Sequence, residues 1–340
     1  MSVNTTALPE PLGIQGREGN TVEENQNTTT EAEQGRTAIV FPGMGPSSFA
    51  DVGRYMVLDR YARRRLAAAD EALGYSVLER FRGADDEYSE ATQIAFLINS
   101  VALADRAVDV MGLSPDVCVG PSFGQKAATA FVGSLPFADV VRMTAELARC
   151  EEEFFSTQYS DVVTQSFVRA PKERTMEILA EMEARGEWHE ISGFLDSDFY
   201  FVSVRESFLD DFKQRIRAAG GYSMYSMRPP VHARAFGDLR RKAEDEVFSR
   251  YEVAAPRMPV IADQNGAVVT SADDMRTMLL DTFDQPINWP DVVSGLQAEG
   301  VSELWFTGAD NLFHRLHCTT KNFRVTAVTP KTALKPAKKS

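Results

Sequence analysis

One serine of the chain has the local sequence of a nucleophile that carries an acyl group. It lies in the segment 120–124 (GPSFG), a GxSxG pattern between a predicted buried strand (116–119) and a predicted helix from Lys126 onward. The two glycines relieve crowding at such a strand-to-helix turn, so that the Ser122 hydroxyl stands near a helix N-terminus whose N–H groups can stabilise an oxyanion. The pattern predicts covalent acyl chemistry at Ser122, although GxSxG also occurs without a function.

A serine nucleophile needs a base, and the chain has four histidines. His189 lies on a predicted strand of an inserted segment, where a surface or sheet role is favoured. His314 and His317 lie on a predicted helix near the C-terminus, where plain polar positions are favoured over ligands. His232 follows a Pro-Pro pair where the chain returns to its main domain, and such crossovers lie at clefts. It is therefore the candidate base.

The surrounding elements predict an α/β fold. The chain has short apolar runs typical of buried strands at 37–41, 116–119, 258–262, 303–306 and 323–328, and helical patterns at 88–111, 273–283 and 290–298. These define an α/β-hydrolase-like large subdomain over 36–158 and 229–330.

The segment 159–228 has a different pattern. Its order of elements is strand, helix, strand, strand, helix, strand, which is typical of a ferredoxin-like subdomain with helices on one face of an antiparallel sheet. We therefore predict a ferredoxin-like small subdomain inserted into the large one.

Composition limits the partners and the location. Residues 1–35 are polar and predicted to form a disordered arm, and residues 331–340 a mobile basic tail. A formal net charge of −13 argues against nucleic acid or an anionic membrane as partner. No signal pattern or membrane-spanning run is present, which predicts a cytoplasmic protein. The three cysteines are far apart and indicate neither a disulfide framework nor a metal site.

Six short blocks, in order along the chain, resemble the malonyl-transferring acyltransferases of fatty-acid and polyketide synthesis. The match extends over about 36–330, together with His232 after the insertion. The blocks are 41–45 (FPGMG), 120–125 (GPSFGQ), 134–139 (SLPFAD), 258–261 (MPVI), 285–289 (QPINW) and 308–312 (GADNL).

The resemblance implies a role for each matching position. Ser122 would be the nucleophile and His232 its base, with the backbone N–H groups of Met44 and Phe123 as the oxyanion hole. A backbone carbonyl near Gln285 would orient the base, so that no acidic triad member is needed. No cofactor is implied, because the acyl groups travel on the phosphopantetheine of acyl carrier proteins.

Several positions depart from the family pattern around the predicted acyl pocket. The family arginine that holds a malonyl carboxylate, 25 positions after the nucleophile, is Leu147 here. Arg149 cannot replace it, because two residues along a helix turn the side chain by about 200°. Gln125 replaces a glutamate, and Val231 lies in an unusual tetrapeptide before the base. A malonate carboxylate beside leucine would lose its charged partner, so malonyl transfer is disfavoured.

Taken together, these features resemble the discrete acyltransferases of macrolactam polyketide pathways, the vicenistatin type. That resemblance implies transfer of an aminoacyl or dipeptidyl group from a stand-alone carrier protein to the loading carrier of a polyketide synthase. Candidates for carrier docking are Arg174, Met227 and Arg228. A malonyl or other short-acyl transferase, a hydrolase of acylated carriers and a non-catalytic carrier-binding module remain as alternatives.

Overall fold

The computed structural model describes residues 35–45, 47–84, 86, 88–309 and 312–335. The predicted N-terminal arm, apart from Gly35, and residues 336–340 of the predicted tail lie outside the described residues. No helix in these ranges is both long enough and apolar enough to cross a membrane.

The described residues form eleven strands and thirteen α-helices, joined by short 3₁₀ turns. The strands are β1 (Arg36–Val40), β2 (Val117–Val119), β3 (Val162–Val168), β4 (His189–Asp196), β5 (Phe199–Arg205), β6 (Tyr222–Met227), β7 (Val260–Ile261), β8 (Val268–Val269), β9 (Ile287–Asn288), β10 (Val301–Thr307) and β11 (Arg324–Val328). The helices are α1 (Phe49–Leu58), α2 (Arg60–Leu73), α3 (Val77–Arg82), α4 (Glu90–Met111), α5 (Gly124–Phe131), α6 (Phe137–Thr157), α7 (Lys172–Ala184), α8 (Glu206–Ala218), α9 (Gly237–Glu246), α10 (Ala272–Asp284), α11 (Trp289–Ala298), α12 (His317–Asn322) and α13 (Pro330–Ala333).

The first sheet has the order β11–β10–β1–β2–β7–β8 and is parallel except for β8. Its central strands are apolar runs buried on both faces, as expected where helices cover a parallel sheet. Val40 lies opposite Val119 in register, and the Phe41 N–H donates to the Val119 carbonyl at 2.8 Å. The loops after β1 and β2 therefore leave the sheet side by side, at the edge where ligands bind in open α/β sheets.

The second sheet has the order β6–β3–β5–β4–β9. Its first four strands are antiparallel, and with α7 and α8 they give the ferredoxin-like topology. Alternate β3 residues such as Val163 and Phe167 pack on the helix side, against Phe212 of α8. The other face, which includes Thr164, lines a cavity described below.

The predicted fold class, an α/β large part with a ferredoxin-like small part, is confirmed, and the predicted elements match the observed ones to within a few residues. Strand β8 was not predicted, and two further features differ. Strand β9 extends the second sheet from the large-subdomain sequence, pairing in parallel with β4. Residues 330–333, part of which was predicted as mobile tail, form α13, because Pro330 and Ala333 are buried and Leu334 packs on the core. The start of the predicted tail at 331 was therefore wrong.

Candidate active site

The structure brings Ser122 and His232 together. Ser122 Oγ lies 2.7 Å from His232 Nε2, a hydrogen bond between residues 110 positions apart in sequence. Both side chains line a cavity of about 240 Å³. Its wall comes from the loop after β1, from α4, α5 and α6, and from the inner face of the second sheet. The pair is thus at a cleft between the two sheets, with access to an enclosed space.

The turn that carries Ser122 requires its two glycines. A Cβ at Gly120 would fall closer than 3.0 Å to the Gly124 carbonyl, and one at Gly124 closer than 3.0 Å to the Phe41 carbonyl. Ser122 itself has φ 53°, a left-handed backbone conformation that residues other than glycine rarely adopt. Such strain persists where the surroundings enforce it. The geometry is that of a nucleophile elbow, with the hydroxyl projecting beside the start of α5.

His232 is also held in a left-handed conformation, with φ 73°. Its backbone N–H donates to the Phe283 carbonyl at 3.1 Å. The residue is buried, with 5% of its surface exposed to solvent. Burial lowers the pKa of the imidazole to about 4, while the backbone carbonyl of Gln285 acts in the opposite direction. At neutral pH the ring is therefore uncharged and able to accept a proton at Nε2.

The predicted orienting contact is less regular than the Ser122 contact. The Gln285 carbonyl is near enough to His232 to raise its pKa. Within the described ranges, however, Nδ1 has no hydrogen-bond partner of regular distance and angle. The contact of this carbonyl with the ring is therefore longer or more bent than a regular hydrogen bond.

Two backbone amides lie beside the serine. Met44 and Phe123 both line the cavity. The loop of Met44 touches the elbow, since a Cβ on Gly43 would be 3.3 Å from the Pro121 carbonyl oxygen and 3.5 Å from Ser122 Cβ. Neither amide donates a hydrogen bond to another described residue. Two free donors at this place are what an oxyanion hole requires.

The three residues predicted to form the acyl pocket, Leu147, Gln125 and Val231, all line the cavity. Arg149 does not, and its guanidinium instead bonds Glu90 at 2.8 Å on the surface. Sequence reasoning missed a second set of cavity residues: Gln93, Lys126 and Glu151, which are polar and almost fully buried. Glu151 lies four residues after Leu147 on α6, and this spacing places both on one helix face. That spacing was the signal available in the sequence.

Asp263 is another buried residue that sequence reasoning missed. Its carboxylate accepts the Ser122 backbone N–H at 2.6 Å and the Gln125 Nε2 at 2.5 Å. Burial raises its pKa to about 6, and the two hydrogen bonds oppose that rise. Asp263 follows β7, at the same edge of the sheet as the serine loop, which is where sequence reasoning could have sought it. It ties the strained serine backbone to the next strand.

The contacts of Asp263 predict a paired exchange. In Asp263→Asn the new amide cannot accept hydrogen bonds from both the Ser122 N–H and Gln125 Nε2. In Gln125→Glu two carboxylates face each other. Each single variant should therefore lose about 1–3 kcal/mol of stability. In the double variant the oxygen of the new amide at position 263 would accept from Ser122, and its nitrogen would donate to the new carboxylate at position 125. Denaturant unfolding of the four proteins should therefore give a favourable coupling energy above about 1 kcal/mol. Additive effects would contradict this pairing.

The predicted docking residues lie on two elements: Arg174 is on α7, whereas Met227 and Arg228 are consecutive residues at the end of β6. Met227 lines the cavity. Arg228 donates to the carbonyls of Ser160 and Val162 at 3.0 and 3.2 Å and pairs with Glu206, so its charge serves the small subdomain itself. Arg174 is exposed on α7 and pairs with Glu177, one turn away. Of the two arginines, only Arg174 is held by a surface ion pair alone.

The other histidines lie away from Ser122. His189 is on β4 and its Nδ1 lies 3.1 Å from the Glu187 carbonyl oxygen. His317 is exposed at the start of α12. His314 is in a 3₁₀ turn, and its ring is tilted by 57° to that of Phe306, with 6.0 Å between the ring centres. None of the three lines the cavity.

Comparison with known proteins finds a matching family model and similar sequences. Residues 166–227 match the family model described as the VinK acyltransferase small domain. The malonyl CoA-acyl carrier protein transacylase of Salmonella typhimurium is 24% identical over 277 residues, which cover 80% of this chain and 88% of that protein.

Solved structures agree in fold. FabD from Acinetobacter baumannii superposes with a TM-score of 0.76 at 18% identity, covering 88% of this chain and 97% of that one. A malonyl-transacylase solved in complex with AntF, a type II polyketide synthase acyl-carrier protein, superposes with a TM-score of 0.75 at 20% identity, covering 86% and 96%. The chain is therefore similar in sequence to malonyl CoA-acyl carrier protein transacylases, has the fold of the solved ones, and matches the VinK acyltransferase small-domain model over residues 166–227.

Proposed function

We propose that this protein is an acyltransferase that moves an aminoacyl- or dipeptidyl-type monoacyl group from one acyl carrier protein to another. The observation that carries the proposal is the 2.7 Å hydrogen bond between Ser122 Oγ and His232 Nε2, at a cavity whose wall includes Leu147. The resemblance to malonyl transferases implies an arginine at this position in those enzymes. The relatives are acyltransferases that act on acyl carrier proteins, and their fold is shared.

The first half-reaction forms an acyl-enzyme. His232 Nε2 takes the proton of Ser122 as Oγ attacks the thioester carbonyl carbon of the donor. The amides of Met44 and Phe123 stabilise the oxyanion of the tetrahedral intermediate. The C–S bond then breaks, and the imidazolium returns its proton to the leaving pantetheine thiolate. The acyl group is left as an ester on Ser122, and His232 is neutral again.

The second half-reaction is the reverse with another carrier. His232 removes the proton of the acceptor thiol, the sulfur attacks the ester carbonyl, and Ser122 leaves with that proton. Donor and acceptor use the same site in turn, which predicts ping-pong kinetics. The carbonyl of Gln285 favours the imidazolium that exists during each transfer. The protein needs no cofactor of its own for this chemistry.

The cavity supports a cargo without a terminal carboxylate. Leu147 is buried in the wall, and Arg149 is turned to the surface, where it pairs with Glu90. A malonyl carboxylate would therefore be desolvated without an arginine, and the nearby buried Glu151 would repel it. An aminoacyl or dipeptidyl chain does not meet this barrier.

The experiment that tests the proposed function is transfer between two carriers. The full chain is incubated with a donor carrier loaded with β-alanyl, glycyl-β-alanyl or malonyl groups and with an empty holo-carrier of different mass. Intact-mass spectrometry then follows the acceptor. We expect transfer of the aminoacyl or dipeptidyl group and little of malonyl. Efficient malonyl transfer, or release of free acid without any loaded acceptor, would contradict the proposal.

Carrier docking predicts an effect of charge on α7. Carrier proteins are usually acidic, so Arg174→Glu should raise the KM for the carrier by about 3- to 10-fold with little change in kcat. Arg185→Glu is the matched control, because Arg185 is an exposed arginine at the other end of α7 and also has a carboxylate partner, Glu187. Steady-state kinetics at low and high salt measure both. Equal effects of the two variants would remove Arg174 from the docking surface.

A further inference from the structure

Three polar side chains are buried together in the cavity wall. Glu151 on α6 is 8% exposed, Lys126 on α5 is 7% exposed and Gln93 on α4 is 5% exposed. Lys126 Nζ donates to Gln93 Oε1 at 3.4 Å and lies 4.6 Å from the centre of the Phe123 ring. The cavity therefore contains one buried cation and one buried carboxylate in an otherwise largely apolar wall.

The Glu151 carboxylate has the Gln93 side chain and the charge of Lys126 as neighbours. In the described part of the chain, no cationic side chain forms an ion pair with Glu151. Burial raises the pKa of its carboxyl, and the more distant Lys126 and the Gln93 side chain only oppose that rise. Lys126 has the Gln93 oxygen and an aromatic face as partners.

A second cavity residue points to the same kind of ligand. Gln125 is 1% exposed and its Nε2 donates to Asp263, so its Oε1 is the atom left over. That oxygen is buried and has no hydrogen-bond partner among the described residues. Buried polar groups are usually satisfied, and an orphan acceptor needs a donor. The wall thus presents two acceptors to a ligand, the Glu151 carboxylate and Gln125 Oε1. Ser192 Oγ, which is also buried in this wall without a partner among the described residues, can donate or accept.

We propose that Glu151 binds the free amino group of the acyl cargo, and that Gln125 Oε1 accepts a further N–H of the same chain. The inference rests on the proposed function and deepens it, since it makes an amine at the end of the cargo the feature that the cavity selects. Glu151 lies one helical turn, about 6 Å along the axis, beyond Leu147. The apolar part of the chain then lies against Leu147, and the ammonium group reaches the carboxylate.

The alternative ligand is a carboxylate that would pair with Lys126. It is disfavoured because Lys126 already has partners and because Glu151, in the same wall, repels a second negative charge. A cargo carboxylate would also leave Gln125 Oε1 without a donor. The two possibilities predict opposite substrate preferences.

The test uses pairs of thioesters that differ only by exchange of an amino group for a methyl group. The pairs are β-alanyl against butanoyl and glycyl-β-alanyl against propanoyl-β-alanyl, each on N-acetylcysteamine so that carrier docking plays no part. The rate of Ser122 acylation is followed by intact mass. We expect the wild type to prefer the amine of at least one pair by about 10- to 100-fold, the effect of a hydrogen bond to a charged group.

Variants assign that preference to a residue. Glu151→Gln should reduce the ratio of the two acylation rates, amine over methyl, to about 1- to 3-fold. Glu151→Asp keeps a carboxylate and should retain part of the preference for the amine. Glu152→Gln is the matched control, because Glu152 is the next residue of α6 and is exposed. The ratio in the wild type tests the idea even if Glu151→Gln does not fold.

The outcomes separate this inference from the function on which it rests. Acylation of Ser122 at equal rates by both members of each pair, or a preference that Glu151→Gln leaves intact, would overturn the inference and leave the proposed function standing. A malonyl thioester that outperforms butanoyl would show a carboxylate site and overturn it as well. Absence of any adduct on Ser122 from these thioesters and from loaded carriers alike would overturn the proposed function itself.

Discussion

Replacing Ser122 with alanine is expected to eliminate the acyl-enzyme and to reduce carrier-to-carrier transfer by at least about 10³-fold. The reason is covalent: without Oγ no ester can form, and among the described residues no other hydroxyl forms a hydrogen bond with the His232 ring. Alanine keeps the Cβ of serine, so the strain at φ 53° is unchanged and the fold should persist. Intact-mass spectrometry after incubation with loaded carrier measures the adduct directly.

The Ser122→Ala result has a clear control. The variant should bind loaded carrier with the affinity of the wild type, because the docking surface is untouched, and its thermal midpoint should be close to that of the wild type. An adduct of the same mass in Ser122→Ala would place the acyl group on another residue and contradict the assignment of the nucleophile.

Replacing His232 with asparagine is the second variant with a large expected effect. Asparagine tolerates the left-handed conformation that this position requires at φ 73°, so the backbone should be kept. The loss of a positioned base should lower the rate of Ser122 acylation by about 10²- to 10⁴-fold. The rate is measured by rapid quench and intact mass at a saturating concentration of donor carrier.

The pH dependence gives a signature that simple misfolding would not produce. Burial lowers the pKa of His232 to about 4, so the neutral base is present throughout the range above it. The wild-type acylation rate should therefore stay nearly constant from pH 9 down to about pH 6.5 and fall with the His232 imidazole only near pH 4. A partial change near pH 6 would belong to Asp263, whose pKa is about 6, and should be absent in Asp263→Asn.

A matched histidine variant completes the comparison. His317→Asn changes an exposed histidine at the start of α12 that does not line the cavity, so its acylation rate should equal that of the wild type. In Asp263→Asn, where the contribution of Asp263 is removed, a fall in rate centred at about pH 6.5, the value of an unburied imidazole, would contradict the role given to buried His232.

Local sequence predicts those parts of the fold whose pattern is strong over a short stretch. The helix α4 and the six elements from β3 to β6 each carry a clear period or turn signal, and they were predicted nearly to the residue. Strand β9 was missed because two residues carry no periodicity and the strand exists only through its pairing with β4. Helix α13 was missed because its four residues precede a lysine-rich segment and have no helical pattern of their own. The helix is fixed by contacts of Ala333 and Leu334 with the core.

The candidate site divides in the same way. The serine turn can be identified locally, since the glycines and the serine lie within five residues. The partner His232 lies 110 positions away, and Asp263 141 positions away, so their contacts with the serine segment depend on the sheet order. Asp263 and Glu151 do not belong to a sequence motif. Their relation to the site becomes visible only in the folded structure, where each carboxylate is buried near the serine turn or in the cavity wall. The predicted docking residues show the opposite error, since a residue chosen from the sequence has a structural role in the fold. The sequence does not reveal that Arg228 is held by Ser160, Val162 and Glu206.

The central claim is that Ser122 carries the acyl group between two carriers, and a single-turnover chase tests it most directly. The enzyme is loaded from a glycyl-β-alanyl carrier and then separated from the donor. One portion is digested with a protease and its peptides are mapped by tandem mass spectrometry. The other portion is mixed with an empty holo-carrier. The account predicts the dipeptidyl mass on the peptide that contains Ser122, and its quantitative movement to the added carrier faster than its loss to water. An acyl mark on another residue, or hydrolysis that outpaces transfer, would contradict the account.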